Sequence, residues 1–378
     1  MKIAELKTFV VGNAWKNWVF VKVFTDEGVV GIGEATGGLS TRPGEAQVHE
    51  LSRLVIGEDP RHPEYIRDRM YKGLFLDCNV GAAAIEIACW DILGKSLNVP
   101  VWQLLGGKLR PRLRAYANGW YQGSRDPGFF AEAASRVKEK GYTALKFDPF
   151  GSAYRFMDRQ DEKLSLEIVR AVRNSVGPEV DLLIEGHDRF SVSTAIRLGR
   201  ALEEFAPFWF ETPVMSSDIA ATVEVARNIP VPVACGERIA RLSEMVDLVS
   251  YRVVDIVQPE TLNVGGIAGA RKMAAIAEAA EASVALHQAQ SPLNTAINAH
   301  IHVSLPNFLI QECFDDFNAP WAFEIMSGVP RVIDGYIEPS DQPGLGVDLN
   351  EVEMTKYPFG GNNFLRLFED GWERRRSA

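Results

Sequence analysis

From residue 113 to residue 312 the sequence keeps repeating one pattern, a short apolar run followed by a stretch with apolar residues at helical spacing. Eight such runs occur, at 113–118, 143–148, 181–185, 208–211, 232–236, 254–258, 283–287 and 308–312. Apolar runs this short, bounded by turn residues, read as strands buried on both faces. The stretches between them are amphipathic. In 162–176, Leu164, Ile168, Val172 and Val176 fall on one helix face, and Gly177 stands where the helix should stop. Eight strands alternating with helices over about 200 residues make an α/β chain and suit a parallel (β/α) barrel. The rival, a doubly wound open sheet, wants a glycine fingerprint at its first strand–helix turn. Gly31-Ile32-Gly33-Glu34 is the nearest match, and it lacks the third glycine.

Ahead of the barrel, residues 3–11, 17–25 and 29–34 alternate like the strands of a meander, and 46–56, 63–72 and 82–97 carry helical spacing. This predicts a small α+β domain over 1–111, the barrel over 112–318, and a segment over 319–378 that returns to the first domain. A length of 378 residues accommodates both.

A formal net charge of −10, with no basic run before Arg374-Arg375-Arg376, argues against nucleic acid as a partner. No apolar run approaches the roughly 18 residues of a membrane span. Met1 to Val11 lacks the charged-then-apolar layout of a secretory signal, so the expected setting is cytoplasmic. Cys78, Cys89, Cys235 and Cys313 lie far apart without a C-x-x-C pair and read as reduced, packed thiols.

In a (β/α) barrel, catalytic groups sit at the C-terminal ends of strands. Three successive strands here end in glutamate: Glu185, Glu211 and Glu237, each 26 residues from the next, about one βα unit. Three anions aimed at one point repel unless a cation or protons intervene. Hard oxygen donors without a cysteine suit Mg²⁺. The bland alternative is that each glutamate caps a helix or pairs with Arg189 or Arg238. Strand period adds neighbours, since residues two apart share a face. His187 should share the face of Glu185 if extended geometry continues, as Lys146 shares one with Asp148 and Gln258 with Glu260. His287 closes the seventh strand beside Glu260, and a carboxylate there would orient the imidazole and make it a general base. His49, His62, His300 and His302 are read as structural or surface residues.

Ala84-Ile85-Glu86-Ile87-Ala88-Cys89-Trp90-Asp91-Ile92-Leu93-Gly94-Lys95, with Leu104-Leu105-Gly106-Gly107 after it, resembles the cap-to-barrel signature of the mandelate racemase group of the enolase superfamily. Gln258-Pro259-Glu260 with Gly265-Gly266, and Pro343 to Val347, resemble two further motifs of that group. The resemblance implies a modified (β/α)₇β barrel under an α+β capping domain built from the N-terminal segment and the C-terminal tail. It implies Mg²⁺ held by Glu185, Glu211 and Glu237, a carboxylate substrate that chelates the metal, and loss of its α-proton to a base, giving an enediolate. Pairing a Lys or His base with Mg²⁺ to stabilise that intermediate is the general chemistry of enolase-type sites.

Racemases of the group carry K-x-K on the second strand, whereas this chain has Lys146-Phe147-Asp148. Glu185-Gly186-His187 is similar to the sugar-acid dehydratases, in which the histidine protonates the departing 3-hydroxyl and the seventh-strand histidine, here His287, takes the α-proton. Asn118-Gly119-Trp120-Tyr121-Gln122 and the stretch Ala144 to Gly151 look like archaeal gluconate and related aldonate dehydratases. The resemblance thus implies dehydration of an aldonate or aldarate to a 2-keto-3-deoxy acid, with Lys146 near the substrate carboxylate and Trp120 and Tyr121 among the substrate contacts. Asp148 is expected to meet substrate hydroxyls or pair with Lys146. Glu312 matches a residue that contacts substrate or enediolate oxygens, with pairing to a nearby cation as the alternative. Glu260 departs from the aspartate usual in the dyad. The loops at 12–18 and 36–44 should cover the barrel mouth and bring Trp15, Lys16 and Arg42 to the substrate. The alternatives are an epimerase or lactone cycloisomerase of the same superfamily, and a non-catalytic sugar-acid-binding barrel. A symmetric homo-oligomer is expected from the family's habit.

Overall fold

The computed structural model describes residues 1–38, 40–74 and 80–374. Three antiparallel strands open the chain: β1 (Ile3–Asn13), β2 (Lys16–Thr25) and β3 (Val30–Glu34), in that order across the sheet. The ladder runs further than the sequence pattern suggests, to Asn13 opposite Lys16, so only Ala14 and Trp15 form the turn. The extra length is held from outside. Gly12 donates to the Tyr357 carbonyl at 2.9 Å and the Asn17 amide to the Gly360 carbonyl at 2.9 Å, so the C-terminal segment pins the hairpin tip.

Helices α1 (Thr41–Val55), α2 (Pro63–Leu74) and α3 (Val80–Leu97) pack with this sheet. α3 is apolar nearly all round, which marks a helix buried on every side. It lies so close to β3 that a Cβ on Gly31 would meet the Ala88 carbonyl oxygen at 2.1 Å, and one on Gly33 the Ala84 oxygen at 2.1 Å. The two glycines that mimicked a nucleotide fingerprint therefore serve helix–strand approach.

The barrel strands are β4 (Leu113–Ala117), β5 (Ala144–Phe147), β6 (Asp181–Glu185), β7 (Trp209–Glu211), β8 (Val233–Cys235), β9 (Ile256–Val257), β10 (Ser283–Val284) and β11 (Gln311–Cys313). Each pairs in parallel with the next from β4 to β10, and β11 pairs with β4. Leu309 donates to the Val284 carbonyl at 2.9 Å and closes the ring. Between successive strands run α4 (Pro127–Glu139), α5 (Arg159–Val176), α6 (Val192–Leu202), α7 (Ile219–Asn228), α8 (Leu242–Ser250), α9 (Gly266–Ala279) and α10 (Pro292–His302). Eight strands and seven helices give (β/α)₇β. α5 starts under an Asp158 side-chain cap and ends at Gly177, φ +81°, as its spacing predicts.

The barrel is plugged by one residue from each strand position: Tyr116, Ala144, Leu183, Trp209, Ala234, Ile256, Ala285 and Ile310. Large side chains and three alanines together fill the layer. Two residues further along every strand, the period-two rule puts a second layer at the mouth: Asn118, Lys146, Glu185, Glu211, Gly236, Gln258, His287 and Glu312. A dry floor thus carries a polar layer.

After β11 the chain forms β12 (Met326–Ser327), β13 (Tyr336–Ile337) and β14 (Asp348–Leu349). β13 pairs antiparallel with β4, so this segment joins the barrel as well as the cap. Cys89, Cys235 and Cys313 are buried free thiols, and Cys78 lies outside the described residues. Among the described residues, no helix is long and apolar enough to cross a membrane.

Candidate active site

Lys146 stands in the middle of the polar layer. Its ammonium lies 2.5 Å from Glu211 Oε1, 2.8 Å from Glu312 Oε1 and 3.2 Å from Glu185 Oε2, with all four side chains buried. Burial alone favours the neutral amine, but the Glu211 and Glu312 carboxylates outweigh it and hold the lysine charged. Burial also opposes ionisation of Glu185, and there His187 and Lys146 prevail and hold the carboxylate below its usual range. β6 and β7 set Glu185 directly opposite Glu211.

The expected dyad forms. Glu260 Oε2 accepts from His287 Nδ1 at 2.8 Å, and the longer glutamate side chain is steadied by Leu262 N, the Gln290 amide and the Asn294 amide at 3.1–3.3 Å. Glu237 Oε2 lies 3.2 Å from the other ring nitrogen. Against burial, which lowers it, Glu237 and Glu260 raise the imidazole pKa to about 9.

His187 reaches the site by a route the strand pattern did not predict. Extended geometry stops at Glu185, and His187 and Asp188 take left-handed φ of +51° and +58°. The turn is fixed by Gly186 N to the Glu211 carbonyl and Asp188 N to the Thr212 carbonyl, each at 2.8 Å. His187 Nδ1 then meets Asp148 Oδ2 at 2.5 Å.

A cavity of about 550 Å³ opens above this layer, between cap, barrel and C-terminal segment. Of the expected residues, Trp15, Lys16, Tyr121, Lys146, Glu185, His187, Glu237 and His287 line it. Lys16 also donates to the Ala289 carbonyl at 2.8 Å, tying the cap hairpin to the loop that follows His287. Glu211, Glu260 and Glu312 lie beneath the lining, in contact with Lys146 and His287. Glu312, paired with Lys146, also accepts from Asn118 and Gln288 N at 2.7 Å each.

Three expectations need correction. Trp120 is buried away from the cavity because Gly119, φ +80°, turns the chain. Its indole N–H then finds the Lys146 carbonyl at 2.8 Å while the ring packs on Tyr121, Phe130 and Phe147. Asp148 has no exposed surface and does not pair with Lys146. Its oxygens are taken by His187, Arg189 and the Phe150 amide. Arg42 pairs with Glu45 at 2.7 Å and stacks on Phe359 instead of entering the site.

Arg238, Phe314, residues 364–367 and Glu369 also line the cavity, and the sequence pattern does not mark them as site residues. A strand-period argument reaches only the barrel, and residues 364–369 have no periodicity to betray them. His300 and His302 are buried structural residues whose pKa values burial pushes down to about 4.

Among the described residues, no three His, Cys, Asp or Glu side chains are gathered into a ready metal cluster. Lys146 occupies the space between Glu185 and Glu211. The donor chemistry nonetheless fits a hard divalent cation. Glu185, Glu211, Glu237, Glu260 and Glu312 converge on the mouth, against Lys146 and His287 as positive groups.

A closed parallel barrel with two histidines, each bonded to a carboxylate, facing one cavity defines an acid–base enzyme. The family described as mandelate racemase / muconate lactonizing enzyme, N-terminal domain, matches residues 6–106, and Enolase C-terminal domain-like matches residues 129–353. The chain belongs to this branch of the enolase superfamily. It is 35% identical over 366 residues to a D-gluconate/D-galactonate dehydratase of Picrophilus torridus, covering 95% of this chain and 93% of the relative. It is 34% identical to a D-gluconate dehydratase of Thermoproteus tenax, covering 91% of this chain and 70% of that one. The crystal structure of a mandelate racemase/muconate lactonizing enzyme from a Sulfitobacter species superposes with a TM-score of 0.90 at 32% identity, covering 98% of both chains.

Proposed function

We propose that this chain is a Mg²⁺-dependent dehydratase that converts an aldonate or aldarate to its 2-keto-3-deoxy acid. The observation that carries this reading is the pair of histidines at one cavity, His287 after β10 and His187 after β6, each with its own buried carboxylate. One base suffices to exchange an α-proton, whereas dehydration also needs an acid at the neighbouring carbon. The names of the relatives point the same way.

In this reading His287 takes the α-proton, oriented by Glu260. As the bond from C3 to its hydroxyl breaks, His187 gives that oxygen a proton and water leaves. The electron pair from the C2–H bond becomes the C2–C3 double bond of an enol, which ketonises to the product. Lys146 places positive charge beneath the substrate carboxylate, and the apolar walls Trp15, Tyr121 and Phe314 keep bulk water from the reacting carbons. Glu185, Glu211 and Glu237 would hold Mg²⁺, which when bound stabilises the charge that grows on the carboxylate oxygens.

Because Lys146 is among the cavity-lining residues, a second reading is an epimerase or cycloisomerase with that lysine as the base. Incubation with Mg²⁺ and a panel of aldonic and aldaric acids in D₂O, with a semicarbazide trap, separates the two. The dehydratase gives a trapped keto acid. Deuterium at the α-carbon with no keto product would replace it with the isomerase.

A further inference from the structure

We infer that Asp148 is a positioning residue for proton delivery to the leaving hydroxyl, acting by fixing which edge of the His187 ring faces the cavity. This rests on the dehydratase reading for its consequence, though not for its geometry.

Both active-site histidines are built alike. His287 gives Nδ1 to Glu260 at 2.8 Å and turns Nε2 toward the cavity residue Glu237. His187 gives Nδ1 to Asp148 at 2.5 Å, which leaves Nε2 as the ring nitrogen free to meet a ligand. The His187 side chain is 21% exposed and lines the cavity, while Asp148 has no exposed surface and cannot touch substrate. Asp148 is itself immobilised. Phe150 N donates to its other oxygen at 2.9 Å, and the Arg189 guanidinium grips the oxygen that His187 uses. Arg189 is fixed in turn by the Gly186 carbonyl at 2.9 Å and the Gly151 carbonyl at 2.6 Å. Trp372 meets the His187 ring at 5.8 Å and 89°, so a second wall limits its rotation.

The left-handed φ of +51° at His187 is unfavourable for a residue with a Cβ and persists where the surroundings over-determine it.

The test is a double-mutant cycle on the full-length enzyme with Mg²⁺, using Asp148→Asn, His187→Asn and the double variant. Two rates are read, keto-acid formation and α-proton exchange in D₂O. Asp148→Asn should lower kcat for dehydration about 100-fold with KM within about threefold, since a positioned acid is worth about that much or more. α-Proton exchange should persist, because His287 is untouched. The double variant should dehydrate no more slowly than His187→Asn alone. Losses that multiply, or exchange that falls in step with dehydration, would show that Asp148 acts on the fold and not through His187.

Should Asp148→Asn fail to fold, ¹⁵N shifts of His187 in the wild-type protein decide the point. A ring protonated on Nδ1, toward Asp148, agrees with the inference and carries a second proton on Nε2 when it acts as the acid; a neutral ring protonated on Nε2 alone overturns it. A wild-type enzyme that dehydrates no sugar acid would remove the function reading while leaving this second measurement intact.

Discussion

Glu86 of the capping helix α3 lies 2.9 Å from the backbone nitrogen of Ala268, in the first turn of barrel helix α9. Its other oxygen accepts from Ile267 N at 2.9 Å, so a cap residue satisfies two of the free N–H groups of a barrel helix. Gly266 makes room, since a Cβ there would lie 2.1 Å from Glu86 Oε2. Burial raises the Glu86 carboxyl to about 7, despite the N–H groups of Ala268, Trp90 and Ile267 that lower it. A group whose pKa is higher folded than unfolded stabilises fully below the unfolded value and loses that contribution as pH rises through the folded one. The wild type should therefore lose up to about 3 kcal/mol relative to Glu86→Gln between about pH 4.5 and pH 8. Denaturant unfolding across that range checks it; parallel curves for the two proteins would remove Glu86 as the titrating group.

Gly33→Ala should loosen the cap. The added Cβ meets the Ala84 carbonyl of α3, a backbone atom that cannot swing aside. Overpacking of this kind costs about 1–3 kcal/mol. Calorimetry should show a melting point lower by several degrees, and an unchanged value would mean that α3 is not seated as tightly as described.

Mg²⁺ should raise the melting temperature of the apo enzyme, because a ligand of the folded state alone stabilises it by mass action. Glu237→Gln should weaken that rise, since it removes a cavity-facing donor 17% exposed. An equal rise in wild type and variant would place the ion elsewhere.

The C-terminal segment should govern substrate fit. Leu365, Arg366 and Leu367 line the cavity, and Phe364 pairs its backbone with Lys16 beside it. Arg366 is exposed, with a 3.4 Å pair to Glu369 worth at most about 1 kcal/mol and its guanidinium 5.1 Å from the Phe364 ring centre. Arg366→Ala should raise KM for a sugar acid several-fold and leave the melting temperature almost unchanged. Steady-state kinetics with an unaltered KM would exclude Arg366 from the substrate pocket.

The barrel was legible because a buried parallel strand announces itself twice, as an apolar run and as period two. That period leads from Leu183 to Glu185 and from Ala285 to His287, and the same arithmetic pairs Glu260 with His287. It fails where the chain leaves strand geometry. His187 lies in left-handed backbone fixed by the Glu211 and Thr212 carbonyls, with its ring held by Asp148, and Trp120 follows the turn at Gly119. Both depend on tertiary bonds that spacing does not encode. The roof at 364–369 was invisible for a related reason: it is irregular chain whose partners, such as Lys16, lie some 350 residues away.

The central claim is a division of labour between two histidines. It is tested most directly by following one accepted sugar acid in D₂O by NMR with the wild type, His187→Asn and His287→Asn. The account predicts that His187→Asn still exchanges the α-proton while forming little keto acid, and that His287→Asn does neither. Exchange surviving in His287→Asn, or both reactions surviving in His187→Asn, would contradict it.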